Sequence, residues 1–175
     1  MNRIILLEGL PGTGKTTNSY RLFEQLVRNG QNVRWLHEVS QPHPTLFFSE
    51  SCLTKEEYRL FTEKYPEAAD TLGSIAEVRA TTVGIDYVTA ARRLPGQENA
   101  AWYQELKQYD AMDFPLERYE PAALEKWEAF VNAALRNDTI YILDSGIFQY
   151  QIFTFLLNGA DYRNWLYLYA ASWIC

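Results

Sequence analysis

The stretch Gly9-Leu10-Pro11-Gly12-Thr13-Gly14-Lys15-Thr16 constrains this chain more than any other. A glycine, four residues and then Gly-Lys-Thr is the spacing of a loop that wraps phosphate groups. Its flanks fit that reading. Ile4-Ile5-Leu6-Leu7 is a continuously apolar run, as expected of a short strand covered on both faces. Beyond the loop, Leu22, Phe23, Leu26 and Val27 recur at helical spacing, and Asn29-Gly30 supplies a helix stop. Strand, glycine loop and helix let successive backbone N–H groups turn toward phosphate oxygens, and the helix N-terminus adds favourable dipole charge. Lys15 then offers a point charge to the β- and γ-phosphates, and the Thr16 hydroxyl a ligand to Mg²⁺. The plainer alternative is a glycine-rich turn with an exposed lysine, and the two flanks weigh against it. The expectation is a chain that binds a nucleoside triphosphate or a close relative.

A second strand is expected over Asn32-Val33-Arg34-Trp35-Leu36-His37, which makes a βαβ unit, a parallel sheet and a right-handed crossover. Gln41-Pro42-His43-Pro44 forbids regular structure. From there to about residue 137 the chain reads as helical. Thr54-Lys55-Glu56-Glu57 is a capping box opening a helix through Tyr65, and Pro66 can start the next. The segment from Glu67 to Tyr87 is weaker helix, because Gly73, Gly84 and the β-branched pair Thr81-Thr82 fall inside it. Pro95-Gly96 is a turn, Ala100 to Tyr109 a helix, and Asp113-Phe114-Pro115 a break. A further helix is expected from Pro121, with Leu124, Trp127, Val131, Ala134 and Leu135 as its apolar stripe and Glu125, Lys126, Glu128 and Asn132 off it. Ile140-Tyr141-Ile142-Leu143-Asp144 then looks like a buried parallel strand ending at the carboxyl edge of the sheet, where open α/β sheets bind ligands. Ile147 to Leu157 reads as an apolar helix stopped by Asn158-Gly159, with Asp161 capping a last segment, Tyr162 to Ile174.

Three side-chain types could carry chemistry beside the loop. Asp144 is suited to hold Mg²⁺ directly or through water, and equally to cap the helix from Ile147. Glu38, ending the second strand on the same edge, could take a proton from an attacking hydroxyl, or be a solvated loop residue. His37 should point the opposite way by strand alternation and so be structural, and His43 is a loop histidine without an assigned role. A guanidinium clamp for the transferred phosphoryl could come from Arg79, Arg92-Arg93, Arg136 or Arg163.

Bulk properties narrow the setting. A length of 175 residues suits one domain, and a formal charge of −6 argues against broad binding to nucleic acid or an acidic membrane. The aromatic share of 15% is high and suits either a pocket-rich interior or dense tryptophan packing. Cys52 and Cys175 lie far apart and without metal-ligand spacing, which fits a reducing cytosol. The apolar run after Arg3 is too short for a signal peptide or membrane span, so a cytoplasmic protein is expected.

With the loop, Glu38 and Asp144 in place, the chain resembles the P-loop small-molecule kinases, the nucleoside and nucleotide kinase-like group. The resemblance covers about the first forty residues and the stretch around 138–150. It implies that Gly9, Pro11, Gly12, Thr13, Gly14, Lys15, Thr16 and Thr17 bind ATP, Thr17 at the α-phosphate, and that Thr16 and Asp144 bind Mg²⁺. Lys15, Glu38 and Asp144 would be the catalytic set, with Glu38 similar to the acidic residue deoxynucleoside kinases use near the acceptor hydroxyl. The implied fold is a three-layer α/β P-loop NTPase fold. Its single domain would span residues 1–175, with a parallel sheet and a helical acceptor-pocket insertion over 45–137 whose aromatics would stack on a base or ring. There are departures: Val39 stands where deoxynucleoside kinases have proline, and Ser145 where several families have arginine. Relatives also continue with an arginine-bearing lid, further strands and a base-binding loop, so the C-terminal strands are expected to be missing here. An exposed sheet edge would then favour pairing with a partner or a homo-oligomer. The rival readings are an ATPase switch or motor module acting on a protein partner, and a nucleotide-binding remnant without catalysis. Against the switch, the chain has no Asn-Lys-x-Asp motif, no Ser-Gly-Gly-Gln signature and no Asp-Glu pair at Asp144-Ser145.

Overall fold

The computed structural model describes residues 3–146, 153–159, 161 and 163, and divides the chain into two compact units. The first comprises residues 1–46 and 126–175, the second residues 47–125. The chain is mixed α/β.

In the first unit, strand β1 (Ile4–Leu7) leads through the glycine loop into helix α1 (Lys15–Arg28) and then strand β2 (Val33–Leu36). The strand that ends in Asp144 (Ile140–Asp144) lies between them and is parallel to both, with Leu7 opposite Asp144 and Leu36 opposite Leu143. The parallel sheet and the apolar tetrad before Asp144 therefore stand as expected. The central strand is buried on both faces, whereas β1 is only half-buried, because among the described strands it pairs on one side alone. Helix α1 stops where Asn29-Gly30 predicts: Gly30 N–H donates to Val27 O at 2.9 Å and Gln31 N–H to Leu26 O at 3.0 Å. Trp35 pins α1 to β2 by donating its indole N–H to Ser19 Oγ at 3.0 Å.

The second unit departs from the helical expectation for 45–137. It holds an antiparallel sheet of β3 (Glu50–Thr54), β4 (Glu77–Val78) and β5 (Thr82–Asp86), in the order β3-β5-β4. The helices around it are α2 (Lys55–Lys64), α3 (Pro66–Ile75), α4 (Tyr87–Arg93) and α5 (Ala101–Leu106). The Thr54 capping box is present in full, with Glu57 N–H donating to Thr54 Oγ1 at 3.1 Å and Thr54 N–H to Glu57 Oε2 at 2.7 Å. Pro66 opens α3, but the helix expected to reach Tyr87 ends at Ile75. The β-branched residues Thr82, Val83 and Ile85 alternate faces instead. Leu53, Val83 and Ile85 pack one face of the sheet onto Phe61, Leu72, Trp102 and Leu106, and Cys52 on the other face joins Phe47, Tyr119 and Ala123.

Gly84 survives inside β5 because of what lies over it. A side chain there would come within 2.4 Å of Glu50 Oε1 and 2.5 Å of Arg79 Nη2, the two ends of a buried ion pair joined at 2.5 Å. Gly84→Ala should therefore destabilise the protein by about 1–3 kcal/mol, read as a lower urea midpoint at unchanged slope. An unchanged midpoint would mean the pair does not occupy that space.

Helix α6 (Leu116–Leu135) begins one turn and more before Pro121, which sits inside it. Packing overrides the proline penalty: Arg118 reaches Glu57 Oε2 at 2.8 Å and Tyr119 is buried against Phe47. The expected stripe holds at the buried Trp127 and Ala134 and fails at two positions. Leu135 is 61% exposed and Lys126, expected on the outer face, is fully buried. The last described helix, α7 (Phe153–Leu157), ends at Asn158-Gly159 as expected. The start expected for it at Ile147 and the segment Tyr162 to Ile174 lie outside the described residues, apart from Arg163. Among the described residues no helix is long and apolar enough to cross a membrane.

Candidate phosphate-binding site

The loop from Gly9 to Gly14 joins β1 to α1 as a tight turn. Gly12 at φ 80° and Gly14 at φ 83° occupy left-handed backbone, which an L side chain adopts only with strain. Three donors converge on one carbonyl and close the turn: Leu10 O accepts from Thr13 N–H at 3.3 Å, Thr13 Oγ1 at 2.8 Å and Lys15 Nζ at 3.0 Å. Lys15, Thr16 and Thr17 form the first turn of α1, whose leading N–H groups have no intrahelical acceptor.

A cleft of about 400 Å³ opens here, lined by Pro11, Gly12, Gly14, Lys15, Thr16, Thr17 and Glu38. The structure thus brings Glu38 together with the loop. Gly9 and Thr13 belong to the turn but not to the lining. Glu38 stands in a turn rather than on the strand, since β2 stops at Leu36 and Ser40 N–H donates to His37 O at 2.9 Å.

Asp144 ends the central strand, fully buried, and neither carboxylate oxygen has a hydrogen-bond partner among the described residues. An orphaned buried carboxylate is costly, and a bound cation is one thing that offsets such a cost. His37 Nε2 lies 3.8 Å from Asp144 Oδ2, and His37 does not line the cleft that Glu38 lines. Glu8 is the other neighbour missed from sequence: its Oε1 accepts Gly146 N–H at 2.8 Å, tying the end of β1 to the turn after Asp144. Glutamate directly after an apolar strand was the signal for it. No cluster of three or more His, Cys, Asp or Glu side chains that could hold a metal occurs among the described residues. That donor set would suit Mg²⁺ only in the mode where one or two protein oxygens share the ion with phosphates and water.

The arginines fall into two groups. Arg79 is buried and committed to Glu50 and, at 2.8 Å, to Glu77, and Arg163 pairs with Asp161 at 2.8 Å. Arg92 and Arg93 end α4 and, like Arg136, are exposed. The second unit also holds a cavity of its own of about 370 Å³, walled by Cys52, Thr54, Thr82, Phe114 and Arg118 among others, with the Arg118 guanidinium 4.1 Å from the Phe114 ring centre.

His43 is buried and structural. Its Nδ1 accepts the N–H groups of Thr45 at 3.2 Å and Leu46 at 3.1 Å, and burial, with the positive Lys126 and then His37, lowers its pKa to about 3. The unfolded chain binds a proton near pH 6.5 that the folded one refuses, so this residue's contribution is intact above that pH and is lost progressively down toward pH 3. Stability should fall by up to about 1.4 kcal/mol per pH unit across that window. His43→Asn, which keeps an acceptor and cannot titrate, should show a shallower loss of urea midpoint between pH 7 and 5 than the parent. Parallel pH profiles would reject the assignment.

Comparison with known proteins gives no match: no family model, no curated protein and no solved structure corresponds to this chain.

Proposed function

We propose that the chain is a P-loop protein of the small-molecule kinase type, transferring the γ-phosphoryl of ATP, with Mg²⁺, to a small hydroxyl- or phosphate-bearing acceptor. The observation that carries this reading is the cleft that gathers Gly12, Gly14, Lys15, Thr16 and Glu38 on one side of the β1–α1 turn. Helix N-terminal amides and left-handed glycines are suited to phosphate oxygens, and Lys15 is within reach to leave Leu10 O for a phosphate. Thr16 and Asp144 would hold Mg²⁺, which supplies charge neutralisation to the phosphates when bound. Glu38, in the lining of that cleft, would orient or deprotonate an acceptor hydroxyl entering it. In this reading the first unit is the nucleotide-binding part of a three-layer P-loop fold, and the protein works in the cytoplasm without nucleic acid or membrane.

The test is to incubate the protein with γ-labelled ATP, Mg²⁺ and a panel of nucleosides, nucleotides and sugars, and to follow the label. Transfer to one acceptor class is expected. Release of free phosphate that only a macromolecule stimulates would overturn the kinase reading in favour of a switch or motor.

A further inference from the structure

We infer that His37 is a positioning residue for Asp144, the end of a contact chain that begins on the helix behind the phosphate loop. The inference rests on the reading above, because it takes Asp144 as the group that meets Mg²⁺. Each link is visible. Ser19, a buried hydroxyl on α1, donates to the carbonyl of Thr16 at 3.0 Å and accepts the Trp35 indole N–H at 3.0 Å. The Trp35 ring meets the His37 ring edge-on, with centroids 5.3 Å apart and planes at 71°. The Trp35 ring also meets the Tyr20 ring, with centroids 5.1 Å apart. The ring contact bounds the imidazole on its Trp35 side.

Val39 N–H donates to His37 Nδ1 at 3.2 Å. A ring nitrogen that accepts leaves the proton of the neutral ring on the other nitrogen, here Nε2. That Nε2–H faces Asp144 Oδ2 across 3.8 Å, just beyond hydrogen-bond length. A small turn of either side chain closes the gap. Once closed, Oδ2 is held by the imidazole, and Oδ1 is the oxygen left for a cation or its water. Outer donors of this kind fix the orientation of a metal-binding carboxylate and strongly affect metal affinity. The chain also couples the two groups assigned to Mg²⁺, since it runs from the backbone of Thr16 to the carboxylate of Asp144. A histidine that only filled space beside Trp35 would need its ring and not its N–H.

Two substitutions separate those roles. His37→Phe keeps a ring against Trp35 without a donor, and His37→Gln keeps a donor without the ring. The readout is calorimetric binding of the non-hydrolysable β,γ-imido analogue of ATP across a Mg²⁺ series, with the metal-free titration as reference. His37→Phe should raise the Mg²⁺ concentration for half-maximal tightening by about tenfold or more, with metal-free affinity unchanged. His37→Gln should stay within about threefold of the parent. Unchanged Mg²⁺ dependence in His37→Phe, or an equal loss in both titrations, overturns the role of His37 while leaving the kinase reading standing. A parent protein whose analogue binding ignores Mg²⁺ overturns both.

Discussion

Replacing Lys15 by alanine is expected to lower phosphoryl transfer by about a thousandfold or more while leaving the fold intact. The side chain leans across the loop to Leu10 O at 3.0 Å and is only partly buried. Its loss removes one donor from a turn that Thr13 N–H and Oγ1 still close on the same carbonyl. The melting temperature should therefore move little, as for surface substitutions away from buried features. A bound triphosphate would lose a charge-assisted contact worth about 1.5–3 kcal/mol, or about 10- to 100-fold in affinity. Turnover should fall further than binding, because charge builds up on the transferred group and Lys15 is the one basic side chain within the loop sequence Gly9 to Thr16. Calorimetric ATP binding and label transfer, measured on the same preparation, check both parts. Full activity in Lys15→Ala would show that the cleft is not where phosphate is handled.

The strands that carry this site were legible because their signals are local. Ile140 to Leu143 is an apolar tetrad with an aspartate behind it, and it forms the buried central strand with Asp144 at its carboxyl end. Thr54 with Glu57 and Pro66 at the start of its helix are also short-range features, and both read true. What was not legible depends on partners distant in sequence. Glu50 to Thr54 has little strand character alone and becomes a strand by pairing with Thr82 to Asp86. Gly84 looked like a weak point in a helix, and its reason is the Glu50–Arg79 pair lying over it. Pro121 looked like a helix start, yet packing around Arg118 and Tyr119 carries the helix through it. The approach of His37 to Asp144 likewise joins residues far apart in the chain, which strand alternation cannot foresee. Propensity decides such positions weakly, and tertiary contacts decide them strongly.

Asp144→Asn separates a functional carboxylate from a structural one, because only the functional role predicts a gain in stability together with a loss of metal response. The side chain is fully buried, neither oxygen has a hydrogen-bond partner among the described residues, and His37 Nε2 lies 3.8 Å from Oδ2. A buried charge so poorly compensated costs the metal-free protein free energy, a cost that active sites tolerate when the group has work to do. Removing the charge should therefore stabilise the metal-free protein by about 1–3 kcal/mol, seen as a higher urea midpoint at unchanged slope. The same change should abolish the tightening of analogue binding by Mg²⁺ and lower phosphoryl transfer by about 100- to 1,000-fold. Had Asp144 been kept to cap the following helix, asparagine, an equally good N-cap, would leave stability nearly unchanged and the variant would keep its Mg²⁺ dependence. A gain in stability with loss of metal response follows only if the carboxylate is held ready for a cation, whereas unchanged stability with metal response intact removes Asp144 from the site.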